Sequence, residues 1–126
     1  MDGTKLTASE WNVLGCLWEK SPQTVMQLVT ELEKTVGWAR STTITTLRRM
    51  EDKGLVRCTV EGRGKHYAPA VPREKAARRE TRSFLDKVYQ GSVGLMVSAL
   101  AQDKALSRQE IDELYEILRK AEEGQK

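Results

Sequence analysis

Cysteine, histidine and proline are all scarce in this 126-residue chain, with two, one and three copies. Cys16 and Cys58 lie far apart, and neither has a second cysteine two or three positions away. That spacing fits neither a disulfide framework nor a zinc knuckle, so both read as buried thiols. A histidine-based triad could run only through His66, which sits beside Tyr67 in a short extended segment and reads as a satisfied or solvent-facing strand residue. A metal site built from Cys16, Cys58 and His66 would need three separate elements to converge, while Leu14, Leu17 and Trp18 around Cys16 read as core. No metal or other cofactor is expected, and no enzymatic activity. Long apolar runs are missing too: the longest, residues 93–101, is about half the ~20 residues of a membrane span, so no membrane insertion is expected. Residues 1–6 hold one lysine and no apolar stretch. They read as neither a secretion signal nor a transit peptide, which makes the cytoplasm the expected location. Nine glycines are too few for a low-complexity chain, and 39% apolar residues are too many for a disordered one.

Charge of either sign is abundant but unevenly placed. Residues 1–37 carry a net −2, 38–70 a net +4, 71–90 a net +3 and 91–126 a net −2. A polyanion-binding surface therefore belongs in the middle of the chain. Carboxylate pairs such as Glu51-Asp52, Glu110 with Glu113, and Glu122-Glu123 fall on exposed helix faces or ends, without the apolar pocket that would set one pKa apart, and read as solubilising charge.

Three capping boxes mark helix starts: Thr7-x-x-Glu10, Thr24-x-x-Gln27 and Ser107-x-x-Glu110. After the first, Trp11, Leu14, Leu17 and Trp18 follow at helical spacing until Ser21-Pro22; after the second, Val25, Leu28, Val29 and Leu32 form one stripe, broken at residues 35–37. A third helix, capped by Ser41 or Thr42, carries Ile44, Leu47 and Met50 inward and ends at Lys53-Gly54. Its other face holds Thr42, Thr43, Thr45, Thr46, Arg48 and Arg49. Residues 55–60 change period, turn at Glu61-Gly62-Arg63-Gly64 and resume over 65–68, a β-hairpin. The turn is a hairpin tip, and no strand-to-helix phosphate loop is present. Pro69 and Pro72 make residues 70–71 an extended joint, which divides the chain into 1–70 and 71–126. Beyond it the pattern predicts a charged helix over 73–89, a nearly all-apolar helix over 92–101, and a third helix with Ile111, Leu114, Tyr115 and Leu118 on one face; residues 122–126 look frayed.

Three short helices followed by a hairpin with a basic tip is the order of a winged helix-turn-helix, whose third helix enters the major groove. The fold expected is mainly α with a small β-hairpin, a winged helix-turn-helix domain plus a C-terminal helical dimerisation domain. Small polar side chains can approach base edges and arginines can reach phosphates. Four threonines in one helix cost several tenths of a kcal/mol each relative to alanine, which a DNA partner would explain; the alternative is that residues 42–46 cap and solvate a surface helix. Three C-terminal helices, one of them apolar all round, make too little core alone and call for a second chain, the alternative being that the apolar helix docks on the first module of its own chain. A two-fold dimer would read an inverted repeat. A winged-helix module that binds a protein instead of DNA is the alternative.

The ordered set of motifs resembles the penicillinase-repressor family of BlaI and MecI, which also includes the copper-responsive CopY repressors. The likeness runs from about Leu6 to Ala121. It comprises Leu6-Thr7-x-x-Glu10-Trp11-x-Val13-Leu14 with Leu17-Trp18; Trp38 with Thr43-Ile44-x-Thr46; and Lys53-Gly54-Leu55 with Glu61-Gly62-Arg63 and Tyr67. In the C-terminal part it takes in Ser83-Phe84-Leu85, Tyr89-x-Gly91, Met96-Val97 and Leu106-Ser107-x-x-Glu110-Ile111-x-Glu113-Leu114. The resemblance implies a homodimeric repressor of double-stranded operator DNA with a short TACA/TGTA-type inverted core, controlling antibiotic-resistance or stress genes. It implies base contacts from Thr43 and Thr46, with Arg40, Ser41, Thr42, Arg49, Arg63 and Lys65 holding the backbone or extending the reading. It also implies a dimer face of Phe84, Leu85, Val88, Tyr89, Leu95, Met96, Leu100, Ile111, Leu114 and Leu118. In the penicillin-resistance branch a membrane-sensor protease system cleaves an Asn-Phe bond in the apolar helix; Ala99 and Leu100 stand at the matching positions. The Cys-x-Cys pairs of the copper branch have no counterpart, since no cysteine follows Cys58.

Overall fold

In the computed structural model of the chain, which describes residues 5–125, six helices and one three-stranded sheet follow the caps written in the sequence. The expectation for residues 1–6 therefore falls largely outside the described residues. Thr7 Oγ1 accepts from the Glu10 amide at 3.1 Å while Glu10 Oε1 accepts from the Thr7 amide at 2.8 Å, which starts α1 (Ala8–Glu19). Thr24 and Gln27 exchange the same pair at 3.2 and 2.8 Å to start α2 (Val25–Val36). Between the two helices, β1 (Gln23–Thr24) is a two-residue strand absent from the sequence reading. The third helix, α3 (Arg40–Asp52), begins a little earlier than its threonines suggest. Its N-cap is Ala39, with no side-chain cap, so Ser41 and Thr42 lie inside the first turn and do not cap it.

Then β2 (Val56–Glu61) and β3 (Gly64–Pro69) form the antiparallel hairpin, with Glu61 opposite Gly64 and Cys58 opposite Tyr67. β1 pairs antiparallel with β3, giving the order β1-β3-β2. Gly62 supplies the positive φ, 60°, that so short a hairpin loop demands of its first residue. Under the sheet and helices the core gathers Val13, Leu14 and Leu17 from α1, Leu28 and Leu32 from α2, Leu47 and Met50 from α3, and Leu55, Val56 and Tyr67 from the hairpin. Burial and the bond with Cys58 push the Tyr67 phenol up to about 12, so it stays protonated in that core.

Gly54 ends α3 at φ 78°, with its amide bonded to Glu51 O and the Leu55 amide to Met50 O. A Cβ there would meet no atom within 4 Å, so a side chain would add conformational cost alone. Gly54→Ala is expected to lower stability by about 1–2 kcal/mol, the cost of a left-handed non-glycine residue, readable in a thermal melt.

After α3 and the hairpin, α4 (Arg73–Tyr89) begins. The chain divides into two compact units, Met1–Thr81 and Arg82–Lys126. The division thus falls inside α4 and not at residues 70–71, because the start of α4 is seated on α1. The Trp18 indole N–H donates to Val71 O at 2.9 Å, Arg73 meets Glu19 at 3.4 Å, and Ala76 is buried. The second unit holds the end of α4, α5 (Val93–Gln102) and α6 (Arg108–Gly124). Ser92 caps α5 by accepting from the Leu95 amide, and Ser107 and Glu110 close the capping box of α6. Glu122 and Glu123 stay helical where the sequence pattern predicts fraying, and Lys126 lies outside the described residues. No helix among the described residues is long and apolar enough to cross a membrane.

Candidate nucleic-acid interface

The helical period sorts the side chains of α3 into two faces. Thr43, Leu47 and Met50 are buried, at 0%, 2% and 0% exposure, with Ile44 half-buried beside them. On the opposite side Ser41, Thr42, Thr45, Arg48 and Arg49 are exposed, with Arg40 at the first turn. This corrects the expectation for Thr43. Its side chain belongs to the core stripe, its hydroxyl oxygen has no hydrogen-bond partner among the described residues, and it cannot reach a base edge from there. Thr46 is half-buried and its hydroxyl donates to Thr42 O at 2.7 Å, leaving its oxygen lone pairs and methyl for contact. Thr45, one turn from both Ser41 and Arg49, takes the central exposed position.

Because Thr43 is threonine-shaped but unpartnered, Thr43→Val is expected to leave DNA selectivity unchanged and to hold or raise stability by up to about 1 kcal/mol, since a buried hydroxyl without a partner contributes only its desolvation cost. A loss of selectivity in a competition assay would return Thr43 to the reading face.

Arg63 at the hairpin tip and Lys65 on β3 are both exposed. Together with Arg40, Arg48 and Arg49 they form no ion pair with another side chain among the described residues, so their charge is available to a polyanion. Arg48 is not among the site residues that the sequence pattern selects, although its position opposite the core stripe marks it.

One carboxylate fixes how α3 is held. Glu10 Oε2 accepts from Lys53 Nζ at 2.6 Å, while Oε1 accepts from the Thr7 amide at 2.8 Å. Glu10 is only 4% exposed, and Lys53 is the C-cap of α3, so this pair ties the end of α3 to the start of α1. Burial pushes the Glu10 carboxyl upward, but the Lys53 ammonium and the bonds to Thr7 outweigh it and hold it below the usual carboxylate range. With its folded pKa depressed, Glu10 stabilises the fold above its unfolded value, about 4.3, and that contribution disappears as pH falls through the folded one. A Glu10→Gln variant is expected to melt lower than the parent at pH 7 and to converge with it towards pH 3, measured by thermal melts across that range.

His66 pairs with Thr24 and Thr59 in the sheet and is half-buried, and its buried Nδ1 has no hydrogen-bond partner among the described residues. No group of three or more His, Cys, Asp or Glu among the described residues is placed to hold a metal ion.

In the second unit most of the expected dimer face is open: Phe84, Val88, Leu95, Leu100 and Leu118 are exposed, and Tyr89, Met96, Ile111 and Leu114 are half-buried. Leu85 is corrected, because at 6% exposure it is already used within its own chain. Val93, Tyr115 and Ile117 are equally exposed apolar residues that the sequence pattern does not select as dimer contacts. Ala99 and Leu100 lie inside α5, so their peptide bond is helical.

Comparison with known proteins places this geometry. The family profile described as penicillinase repressor matches residues 6–120. The penicillinase repressor of Bacillus licheniformis is 32% identical over 114 residues, spanning 90% of this chain and 89% of that protein. The methicillin resistance regulatory protein MecI of Staphylococcus aureus strain N315 is 25% identical over 116 residues, spanning 92% of this chain and 94% of its own. Among solved structures, the monomeric form of Bacillus licheniformis BlaI in complex with the blaP half-operator is similar with a TM-score of 0.52 at 28% identity, covering 57% of this chain and 88% of that one. The isolated DNA-binding domain of the repressor BlaI gives a TM-score of 0.51, also at 28% identity, over 56% of this chain and 85% of that one.

Proposed function

The chain belongs to the penicillinase repressor family, and from that premise we propose that it is a homodimeric transcriptional repressor that grips an inverted-repeat operator through α3 and the β2–β3 hairpin. The observation that carries this reading is the exposed face of α3, where Ser41, Thr42 and Thr45 stand beside Arg48 and Arg49, neither arginine paired with a carboxylate among the described residues. Small hydroxyl side chains approach base edges closely, and the guanidinium groups bind phosphates or guanine edges. Thr45 and Thr46 take the base-reading role, with Arg40, Arg49, Arg63 and Lys65 on the backbone. The solved complex of BlaI with a half-operator supports the same use of the matching region here.

The apolar residues left exposed on α5 and α6 supply the dimer face, and the two protomers place two reading helices on a dyad. Such a repressor would act on antibiotic-resistance or stress genes in the cytoplasm, without enzymatic activity of its own. Its release would follow cleavage near Ala99-Leu100 by a membrane-sensor protease system, or another signal. Cutting α5 removes the dimer core and with it the avidity across two half-sites.

Fluorescence anisotropy with the DNA upstream of the chain's own gene, against a scrambled duplex, tests the proposal. Selective binding that weakens with salt and is relaxed in sequence preference by Thr45→Ala is the expected result. Equal, weak binding to both duplexes at low salt would overturn it and favour a protein partner for the same face.

A further inference from the structure

We propose that the groove between α1 and α2 binds a small organic amine with an aromatic or alkyl body. The groove is open to solvent and offers about 740 Å³, within the range of small-molecule sites. Gly15, in the middle of α1, lines it. A glycine there costs the helix about 1 kcal/mol relative to alanine. Packing does not require it, since a Cβ at Gly15 would meet no atom within 4 Å. What the missing side chain provides is open volume in the groove.

The lining has the chemistry of a cation site. Gln23 is only 7% exposed, and its amide nitrogen is held by Cys16 O at 3.0 Å and Lys20 O at 2.7 Å. Both amide hydrogens are thereby committed, which leaves the fixed carbonyl oxygen as an acceptor on a groove-lining residue. Of the two carboxylates on the lining, Glu19 already meets Arg73 at 3.4 Å, while Glu31 has no ion-pair partner among the described residues. The charge of Glu31 is felt at Cys16, whose thiol is pushed up first by burial and then by that carboxylate, so Cys16 presents a neutral sulfur surface. The Trp11 indole offers a ring for cation–π contact and an apolar wall with Met26, which is half-exposed. A primary ammonium satisfies Glu31 and the Gln23 oxygen while its body lies on Trp11 and over Gly15; a carboxylate ligand would face Glu31 with no cation beside it. The site is coupled to the first turn of α4, because Glu19 also meets Arg73, and Trp11 packs edge-on at 5.5 Å against Trp18, which holds Val71.

The test uses the full chain without DNA, titrated in heteronuclear NMR with phenethylamine and, separately, with 3-phenylpropionate. Saturable shifts of the Gly15 amide, with the amine at least tenfold tighter than the acid, are expected. Gly15→Leu should abolish them while the melting temperature holds, and Glu31→Gln should weaken the amine severalfold with the spectrum otherwise intact. Equal binding of amine and acid, no saturation by either, or unchanged binding in Gly15→Leu and Glu31→Gln would overturn the proposal. So would a self-association in sedimentation that Gly15→Leu abolishes without any amine binding in the parent, which assigns the groove to a second copy.

Discussion

Replacing Arg40, Arg49, Arg63 and Lys65 together by glutamine is expected to flatten the salt dependence of half-site binding by about 3.6 in the slope of log affinity against log salt, at ~0.9 for each phosphate no longer neutralised. Between 50 and 200 mM salt the variant would then lose roughly a hundredfold less affinity than the parent. The size of the effect follows from what surrounds the four charges. All are exposed, and none spends its charge on a carboxylate of its own chain among the described residues. Their removal should therefore leave stability within the small range of surface substitutions, about ±0.5 kcal/mol. The weakening should be nearly uniform across sequences, in contrast to Thr45→Ala, which should alter the ranking of operators. A slope unchanged in the fourfold variant, measured by anisotropy from low to moderate salt, would remove the hairpin and the flanks of α3 from the interface.

Leu47→Ala is expected to produce the largest loss of stability of any single substitution in α3, about 2–5 kcal/mol. Leu47 is 2% exposed and joins the cluster formed with Leu14, Leu28, Leu32 and Met50, where neighbouring side chains can close over a deleted isobutyl group only partly. For a unit of this size the melting midpoint should fall on the order of 10–30 °C. That is a large share of the stability of an ordinary domain. No residue proposed to face DNA is altered, so any fall in affinity below the midpoint reports how firmly α3 is seated. A drop smaller than about 1 kcal/mol in calorimetry would mean that the cluster around α3 is looser than its burial indicates.

Local signals in the sequence are legible where distant ones are not. Thr7 with Glu10, Thr24 with Gln27 and Ser107 with Glu110 each complete their hydrogen bonds within three residues, so the starts of α1, α2 and α6 follow from the spacing alone. The strand β1 does not, because Gln23 and Thr24 become a strand only by meeting Tyr67 and His66 of β3, far along the chain. The boundary between the two units escapes the sequence for a similar reason. Pro69 and Pro72 announce an extended joint, but the contact of Trp18 with Val71 keeps the first turns of α4 with α1. In the candidate interface, the composition of α3 is enough to select the helix but not to assign each threonine. A threonine suits either a dry or a wet face, and only the positions of Leu47 and Met50 show that Thr43 shares theirs. The family resemblance carried by the motifs agrees with the match over residues 6–120.

Apart from the half-buried Ile44 and Thr46, the two faces of α3 have no side chain in common. Thr43, Leu47 and Met50 anchor the helix, the Glu10–Lys53 pair fixes its end, and Ser41, Thr42, Thr45, Arg48 and Arg49 stand clear of both. Substitutions on the outer face can therefore accumulate under selection for a new binding preference without eroding the scaffold that carries them. A lineage of such proteins could diverge in what it reads while its interior drifts slowly, and Thr45 would be among the first positions at which two descendants came to differ.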